Sequence, residues 1–330
     1  MGYQKKMLIR TSLDDVGNEV VHGSYCSSPD MITHALVTDP KVAFSGNYSS
    51  DPNQKINQTS KTNLIYTRVK GMQDTEETLT GYIRIYRASC SLFMNTDQWK
   101  NNKLKTPKGV EYAMVTTAKN GDIAVGDDVL VVDGTQPNFC MVGIINNSKE
   151  ETLPNKFKTY NDFVNWVHGN RCVAVRNFSL ETSGVPNDYE NLYAISNPEN
   201  EARLVAILLE ASGLPKDTVF GLVNESLKIE NESQFDPDSF ITQQVTASAF
   251  LESGFQGYVK TYARLPEGQK WPESASLITT LWVSAKEKEE MIRFSLPVDQ
   301  VLLDRSSLDS TGSNAAGRLV RVGFCETKFV

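Results

Sequence analysis

The sequence has few of the residues and motifs on which enzymes commonly depend. Its 330 residues include three histidines and five cysteines. No two cysteines have CxxC spacing, which excludes zinc-ribbon and thioredoxin-type sites. The phosphate loops GxxxxGK(S/T) and GxGxxG, the GxSxG nucleophile elbow and the HExxH zinc motif are all absent. The sequence therefore predicts no catalytic residues, no metal site and no cofactor.

Long hydrophobic runs are also absent. No window approaches the roughly 18 apolar residues that a membrane-spanning helix needs. The first ten residues, with Lys5, Lys6 and Arg10, lack the apolar stretch of a signal peptide. We therefore expect a protein without a membrane span, either cytoplasmic or released by a route without a cleaved signal peptide. Five widely spaced cysteines are typical of free thiols in a reducing compartment.

The net charge of −7 is unevenly distributed along the chain. Residues 1–185 carry 20 Lys+Arg and 19 Asp+Glu (+1), whereas residues 186–330 carry 13 and 21 (−8), which sum to −7. Nucleic acids and anionic membranes attract basic surfaces, so we expect neither as a partner. The change in charge near residue 185, beside the small-residue segment 182–186, predicts two domains, 1–185 and 186–330.

What the sequence does contain is alternation of apolar and polar residues. Asn63 to Val69 and Gly81 to Arg87 alternate with the period of two that is typical of half-buried strands. Glycine-containing turns follow at regular intervals, as in antiparallel sandwiches. Residues 39–61 are polar and predict a loop. One helix is expected at residues 159–169, where Thr159 and Asp162 form a cap-like start.

The second half repeats this strand-rich character. Strands are predicted at residues 191–195, 203–210, 218–223, 257–263, 277–285, 291–295 and 318–329. Residues 238–250 fit either a helix started by Asp236-Pro237 or a strand through Val245 and Ala247, with the helix favoured. The predicted fold class is mainly β: two tandem β-sandwich, immunoglobulin-like domains with one or two short helices.

Several of these strands carry a family resemblance over roughly residues 7–180. The matching segments are Asn63-Leu-Ile-Tyr-Thr-Arg-Val-Lys70, Gly81-Tyr-Ile-Arg-Ile-Tyr86, Trp99, Gly121-Asp-Ile-Ala-Val125 and Phe139-Cys-Met-Val142. Together they resemble uncharacterised bacterial proteins with an N-terminal immunoglobulin-like domain of the CARDB adhesion type. Phe139 stands where that family usually has tyrosine, and Asn138 where it usually has histidine. The resemblance implies binding or scaffolding and implies no reaction.

The residues expected to bind a partner lie on two of these strands. Tyr82, Arg84 and Tyr86 share one face of their strand, and Tyr66 and Arg68 share a face of the other. If the strands are neighbours, an exposed Tyr/Arg surface results, and such residues are enriched at binding hot spots. The alternative is cross-strand pairing that only stabilises the sheet.

The leading functional hypothesis is a non-enzymatic bacterial binding or assembly protein that contacts a protein or a glycan, with oligomerisation possible. One alternative is a toxin or exported component of a contractile or insecticidal system. Another is a hydrolase with an unrecognised site, which would need His22 or His34 in a cleft beside a carboxylate. A calcium site is a further option at the aspartate-rich turns, which contain Asp122, Asp127, Asp128 and Asp133.

Overall fold

The protein is mainly β and folds as two tandem β-sandwich units, which confirms the predicted fold class. The computed structural model describes residues 2–17, 26–57, 60–89, 96–135, 139–182, 187–239, 243–301 and 317–329. The first unit ends at Asn177 and the second begins at Phe178, a few residues before the expected boundary at residue 185. Residues 183–186, most of the expected linker, lie outside the described residues.

The first unit is built from short and medium strands with three helices between them. Its strands are β1 Met7–Leu8, β2 Met31–Thr33, β3 Ile56–Asn57, β4 Asn63–Gly71, β5 Leu79–Ser89, β6 Ala113–Thr117, β7 Ile123–Val125, β8 Leu130–Val132, β9 Phe139–Asn146 and β10 Val173–Asn177. Its helices are α1 Pro40–Ser45, α2 Thr96–Asn101 and α3 Tyr160–His168. One sheet has the order β10-β9-β5-β6; in the other, β4 pairs antiparallel with β1, β2, β7 and β8.

Helix α3 forms where the sequence predicted it. The Thr159 hydroxyl accepts from the Asp162 N–H at 3.0 Å, and the Asp162 carboxylate accepts from the Thr159 N–H at 3.1 Å, so the capping box is complete. Phe163 and Val167 are buried on one side of the helix. The expected helix is therefore confirmed with its start and its apolar face.

Two Asp-Pro pairs give opposite outcomes. Asp39-Pro40 lies in the segment expected to be a loop, yet Asp39 caps α1 by accepting from the Val42 N–H at 3.1 Å. Asp236-Pro237 was expected to start a helix, but the chain instead forms a strand, Gln243–Leu251. The favoured helix is wrong because Val245 and Ala247 alternate into the core and all nine residues of that strand pair with a neighbour.

The second unit has longer strands. They are β11 Ser179–Thr182, β12 Asp188–Ser196, β13 Arg203–Ser212, β14 Val219–Asn224, β15 Ile229–Gln234, β16 Gln243–Leu251, β17 Gln256–Arg264, β18 Ser276–Ser284, β19 Leu296–Pro297 and β20 Arg318–Phe329. One sheet runs β16-β13-β18-β20-β11, with β19 also pairing β20, and the other runs β12-β17-β14-β15. A short helix, α4, spans Val298–Val301. None of the helices in the described ranges is long and apolar enough to cross a membrane.

Residues 291–295, expected as a strand, instead belong to a 3-10 helix, Glu290–Phe294. The turn before it is fixed by Arg203, which is 1% exposed. Its guanidinium donates to Glu199 (2.8 Å from Nε), to both Glu289 oxygens (3.0 and 2.9 Å) and to the Ser284 carbonyl (2.8 Å). A buried guanidinium needs such partners, and this demand outweighs the weak strand pattern of Met291 to Ser295.

The Arg203 ion pairs make the second unit sensitive to acid. Burial alone would raise the pKa of Glu289, but the hydrogen bonds and charge of Arg203 outweigh burial and hold that pKa below its ordinary value. The folded-state pKa is thus lower than the unfolded one. The contribution of the ionised Glu289 carboxylate to stability is therefore complete above about pH 4.5 and is lost as pH falls through the folded-state pKa of Glu289.

We expect Glu289→Gln to lower the free energy of unfolding by about 1–3 kcal/mol near neutral pH. The difference from the parent protein should shrink below about pH 4.5, where the parent carboxylate is also protonated. Urea unfolding near neutral pH and again below about pH 4.5 measures this difference in unfolding free energy. Glu287→Gln, at an exposed position nearby, is the control. A difference that stays constant with pH would contradict the assignment.

Candidate functional site

The Tyr/Arg surface expected on β4 and β5 is not exposed. Tyr66 is 3% exposed, Arg68 0%, Arg84 4% and Tyr86 0%, and only Tyr82 is half-buried. The expectation that these residues face solvent is therefore wrong. The two sets also lie in different sheets of the first unit, because β4 and β5 do not pair with each other.

Arg68 is buried because its donors are used within the fold. Its Nε donates to Asp30 Oδ1 at 2.8 Å, and its two terminal nitrogens donate to backbone carbonyls of the segments around it. Those acceptors are the carbonyls of Pro29 (3.1 Å), Phe44 (3.0 Å), Asn47 (3.1 Å) and Ser50 (3.2 Å), together with Asn47 Oδ1 (2.8 Å). One side chain thus holds residues 29–50 against β4.

Asp30 carries the balancing charge and is shared with a second arginine. The Arg10 guanidinium donates to both Asp30 oxygens at 2.9 and 2.7 Å, and the Arg10 backbone N–H also donates to Oδ2 at 2.9 Å. The Tyr48 ring lies 3.5 Å from the Arg10 guanidinium carbon. Burial and the Asp30 charge raise the pKa of Tyr48 well above its ordinary value, so this hydroxyl stays neutral. The cluster is a structural ion-pair network.

Arg84 and Tyr86 are covered by the segment that follows β9. Arg84 donates to Asn146 Oδ1 at 2.9 Å and to the Lys149 carbonyl, and the Tyr86 hydroxyl donates to Glu151 Oε1 at 2.9 Å. Tyr82 packs edge-on against Tyr112, with ring centroids 5.3 Å apart. These contacts match the alternative reading, in which the side chains stabilise the sheet.

The histidines divide among three settings. His22 lies outside the described residues, and His168 ends α3. His34 lines a cleft of about 260 Å³ formed by residues 33–36, 54–55 and 62–64, and no carboxylate is among those lining residues. A hydrolase of the kind considered above would need one there.

The polar groups around His34 are bonded to one another. Gln54 Oε1 accepts from the Ala35 N–H at 2.8 Å, so the Gln54 amide nitrogen faces His34 Nε2 at 3.2 Å and must be the donor. His34 Nδ1 then carries the proton and donates to the Ala35 carbonyl at 3.1 Å. Both ring nitrogens of His34 thus have partners within the surrounding turn.

In the aspartate-rich turns, three of the four carboxylates have separate partners within the chain. Asp122 Oδ2 accepts from the Ala118 N–H at 2.8 Å, Asp127 pairs with Lys41 at 2.9 Å, and Asp133 accepts from the Thr135 N–H at 2.9 Å. Each of these three carboxylates thus serves a separate turn. Within the described ranges, no group of three or more His, Cys, Asp or Glu side chains is placed to hold a metal ion.

An exposed face of the expected composition lies instead on the second unit, on the sheet β12-β17-β14-β15. In β17, Val259, Thr261 and Ala263 point into the core, while Tyr258 and Arg264 face solvent, as the alternating burial shows. Tyr258 is 63% exposed, and Leu192 on the neighbouring β12 is 54% exposed. We call the outward side of this sheet the outer face. Its residues are Asp188, Glu190, Leu192, Ala194, Val219, Gly221, Val223, Glu230, Glu232, Gln234, Tyr258, Lys260, Tyr262 and Arg264.

On the outer face, the outward side chains of each strand form a column, and residues paired across the strands form a row. The columns differ in charge. Leu192, Lys260, Val223 and Glu230 form one row across the four strands. The next row contains Glu190, Tyr262, Gly221 and Glu232. The β17 column is therefore basic and aromatic, the β14 column small and apolar, and the β15 column acidic. Lys260 Nζ pairs with Glu190 at 2.9 Å within the face.

Tyr262 connects the columns by lying across Gly221. Its hydroxyl donates to Glu232 Oε2 at 2.8 Å, and a Cβ at Gly221 would lie 2.6 Å from that hydroxyl oxygen. The Arg264 guanidinium carbon lies 4.5 Å from the ring centroid. Burial and the Glu232 carboxylate raise the pKa of Tyr262 to about 12. An aromatic ring laid over a strand glycine fixes register and fills the gap between the columns.

Sequence reasoning predicted β17 as a strand but did not select its residues. The signal was present, because Tyr258, Lys260, Tyr262 and Arg264 alternate as regularly as Tyr82, Arg84 and Tyr86 do. The difference lies in what covers each strand. Residues 146–151 cover β5, and nothing in the local alternation predicts that contact.

Comparisons with known proteins add little to this geometry. No family model and no curated protein matches the chain. Two similar solved structures are the calcium binding domain CBD12 of CALX1.1 (8% identity, TM-score 0.20, covering 84% of this chain and 96% of that one) and CBD12 from CALX1.2 (7%, 0.20, 83% and 96%). A TM-score of 0.20 is too low to support a statement about this chain. The CARDB-type resemblance stays a prediction.

Removing Arg68 should be strongly destabilising and should reveal its structural role. Arg68→Met leaves at least five acceptors without their donor, and breaking such a buried network costs about 3–5 kcal/mol. Urea unfolding measures the change. Lys108→Met, at an exposed turn, is the control and should change stability by less than about 0.5 kcal/mol. A loss for Arg68→Met as small as that of the control would show that these contacts stabilise nothing.

Proposed function

We propose that this is a non-enzymatic binding or assembly protein that contacts another protein through the outer face of its second unit. The proposal depends mainly on one observation: Tyr258 and Leu192 are more than half exposed and diagonally adjacent on neighbouring strands of a regular sheet, with charged residues around them. Tyrosine and arginine anchor many protein interfaces, and charged residues commonly surround the apolar centre.

A protein partner fits the shape and chemistry of this face better than a glycan does. The four strands present columns of side chains; Leu192 lies diagonally beside Tyr258 on the neighbouring strand, and Lys260 separates Leu192 from Val223 in their row. Small ligands are usually held in concave sites with convergent polar groups. The polar cleft around His34 is concave, but His34 and Gln54 bond to each other and to Ala35. We therefore assign protein contact to the outer face.

The test uses a paired substitution on each unit. Leu192→Ser with Tyr258→Ser removes the apolar centre of the outer face. Leu36→Ser with Val42→Ser removes equally prominent aliphatic side chains, 82% and 72% exposed, from the first unit. We expect the first pair to weaken retention of the parent's partner proteins at least about tenfold, because anchors of this kind contribute most of an interface's binding energy. The second pair should leave retention unchanged.

Quantitative affinity capture from extracts of producing cells, with the parent protein and both pairs compared at equal loading, measures this. Circular dichroism and urea midpoints establish that the variants are folded. Equal retention by the parent and the outer-face pair would contradict the proposal. Retention that is abolished by deglycosylating the extract would indicate a glycan ligand and would also contradict it.

A further inference from the structure

We propose, building on protein contact at the outer face, that its partner is a second copy of this chain, docked face to face about a two-fold axis. The observation is the order of the columns: basic on β17, small and apolar on β14, acidic on β15. The basic and acidic columns thus lie one strand to either side of the apolar column. A face with this arrangement is complementary to itself.

A two-fold axis parallel to the strands and above β14 places each basic column opposite an acidic one. Because the rows are in register, Lys260 then faces Glu230 of the second copy, while Tyr262 and Glu232, which bond to each other within each chain, meet the same pair of the second copy. Val223 of β14 meets its own equivalent at the centre. Sheets that pack face to face keep their strands within about 30° of parallel, so the pairing by rows survives the twist.

Three other simple axes oppose like charges. An axis above β17 places Lys260 opposite itself. An axis between β17 and β14 places Glu190 opposite Glu232 of the second copy. An axis across the strands sets the acidic β15 column against its own equivalent. Like charges opposed at an interface cost several kcal/mol, so these three arrangements are disfavoured, whereas the axis above β14 is the one that brings Lys260 opposite Glu230.

Within one chain, Lys260 pairs with Glu190 and not with Glu230. Lys260 and Glu230 are two strands apart, about 10 Å between backbones, so they do not bridge within one chain. Lys260 is half-buried against Glu190 at 2.9 Å, which fixes its position before docking. Tyr262 is held across Gly221, so the centre of the face is ordered as well. Such preorganisation reduces the entropy lost on association.

Charge reversal tests this arrangement. Sedimentation equilibrium of the full chain near physiological salt should show a dimer of the parent protein. Lys260→Glu and Glu230→Lys should each weaken dimerisation at least about tenfold, since each creates two like-charge contacts in the symmetric interface. The double variant should recover most of the lost dimer affinity, because it restores opposite charges across the interface. Lys270→Glu and Glu267→Lys, matched charge changes at an exposed turn outside the sheet, should have no effect.

A parent chain that is monomeric at all accessible concentrations would overturn the self-association proposal, and so would single variants that dimerise normally. A double variant whose loss of dimer affinity equals the sum of the two single losses would overturn the axis above β14. None of these results affects protein contact as such, which the Leu192 and Tyr258 pair tests against foreign partners. The two proposals can therefore fail independently.

Discussion

A buried guanidinium must find acceptors for its N–H groups and a carboxylate for its charge, and this requirement organises both units. In the first unit, Arg68 meets it with Asp30 and the carbonyls of four residues between 29 and 50. In the second, Arg203 meets it with Glu199, Glu289 and the Ser284 carbonyl. In each case one side chain fixes loops that are far apart in sequence. Of the arginines that looked like binding residues, Arg68 on β4 is committed in this way, and Arg84 on β5 is enclosed by the neutral acceptors Asn146 Oδ1 and the Lys149 carbonyl.

Because those arginines are buried in the first unit, the candidate interaction surface lies on the second unit. There, Lys260 and Arg264 are half-buried or exposed rather than enclosed, and they lie beside Tyr258 on a strand whose outward side stays accessible. The acidic bias of residues 186–330 is expressed locally as the β15 column. Because Glu230 and Glu232 lie on one side of the apolar β14 column and Lys260 on the other, the face is polar without being of one sign.

Local signals in the sequence predicted much of the fold. The capping box at Thr159 and Asp162 predicted α3, and alternation predicted most of the long strands. Competition between signals explains the misses. The helix-start signal of Asp236-Pro237 is overridden by the strand pairing of the segment that contains Val245 and Ala247. Asp39-Pro40, in contrast, does start a helix inside a polar segment. The candidate site was beyond local signals, because Tyr86 and Tyr258 have the same alternating context. Long-range contacts separate them, such as the bond between Tyr86 and Glu151, 65 residues apart.

Hydroxyl-radical footprinting of the full chain at dilute and at concentrated conditions tests the central claim most directly. The outer face should become protected as copies associate, so oxidation of Leu192 and Tyr258 should slow with concentration. Leu36 and Val42, which are more exposed but lie on the first unit, should react at an unchanged rate. Constant reactivity of Leu192 and Tyr258, or equal protection of all four side chains, would contradict the assignment of the outer face as the surface through which copies of this chain associate.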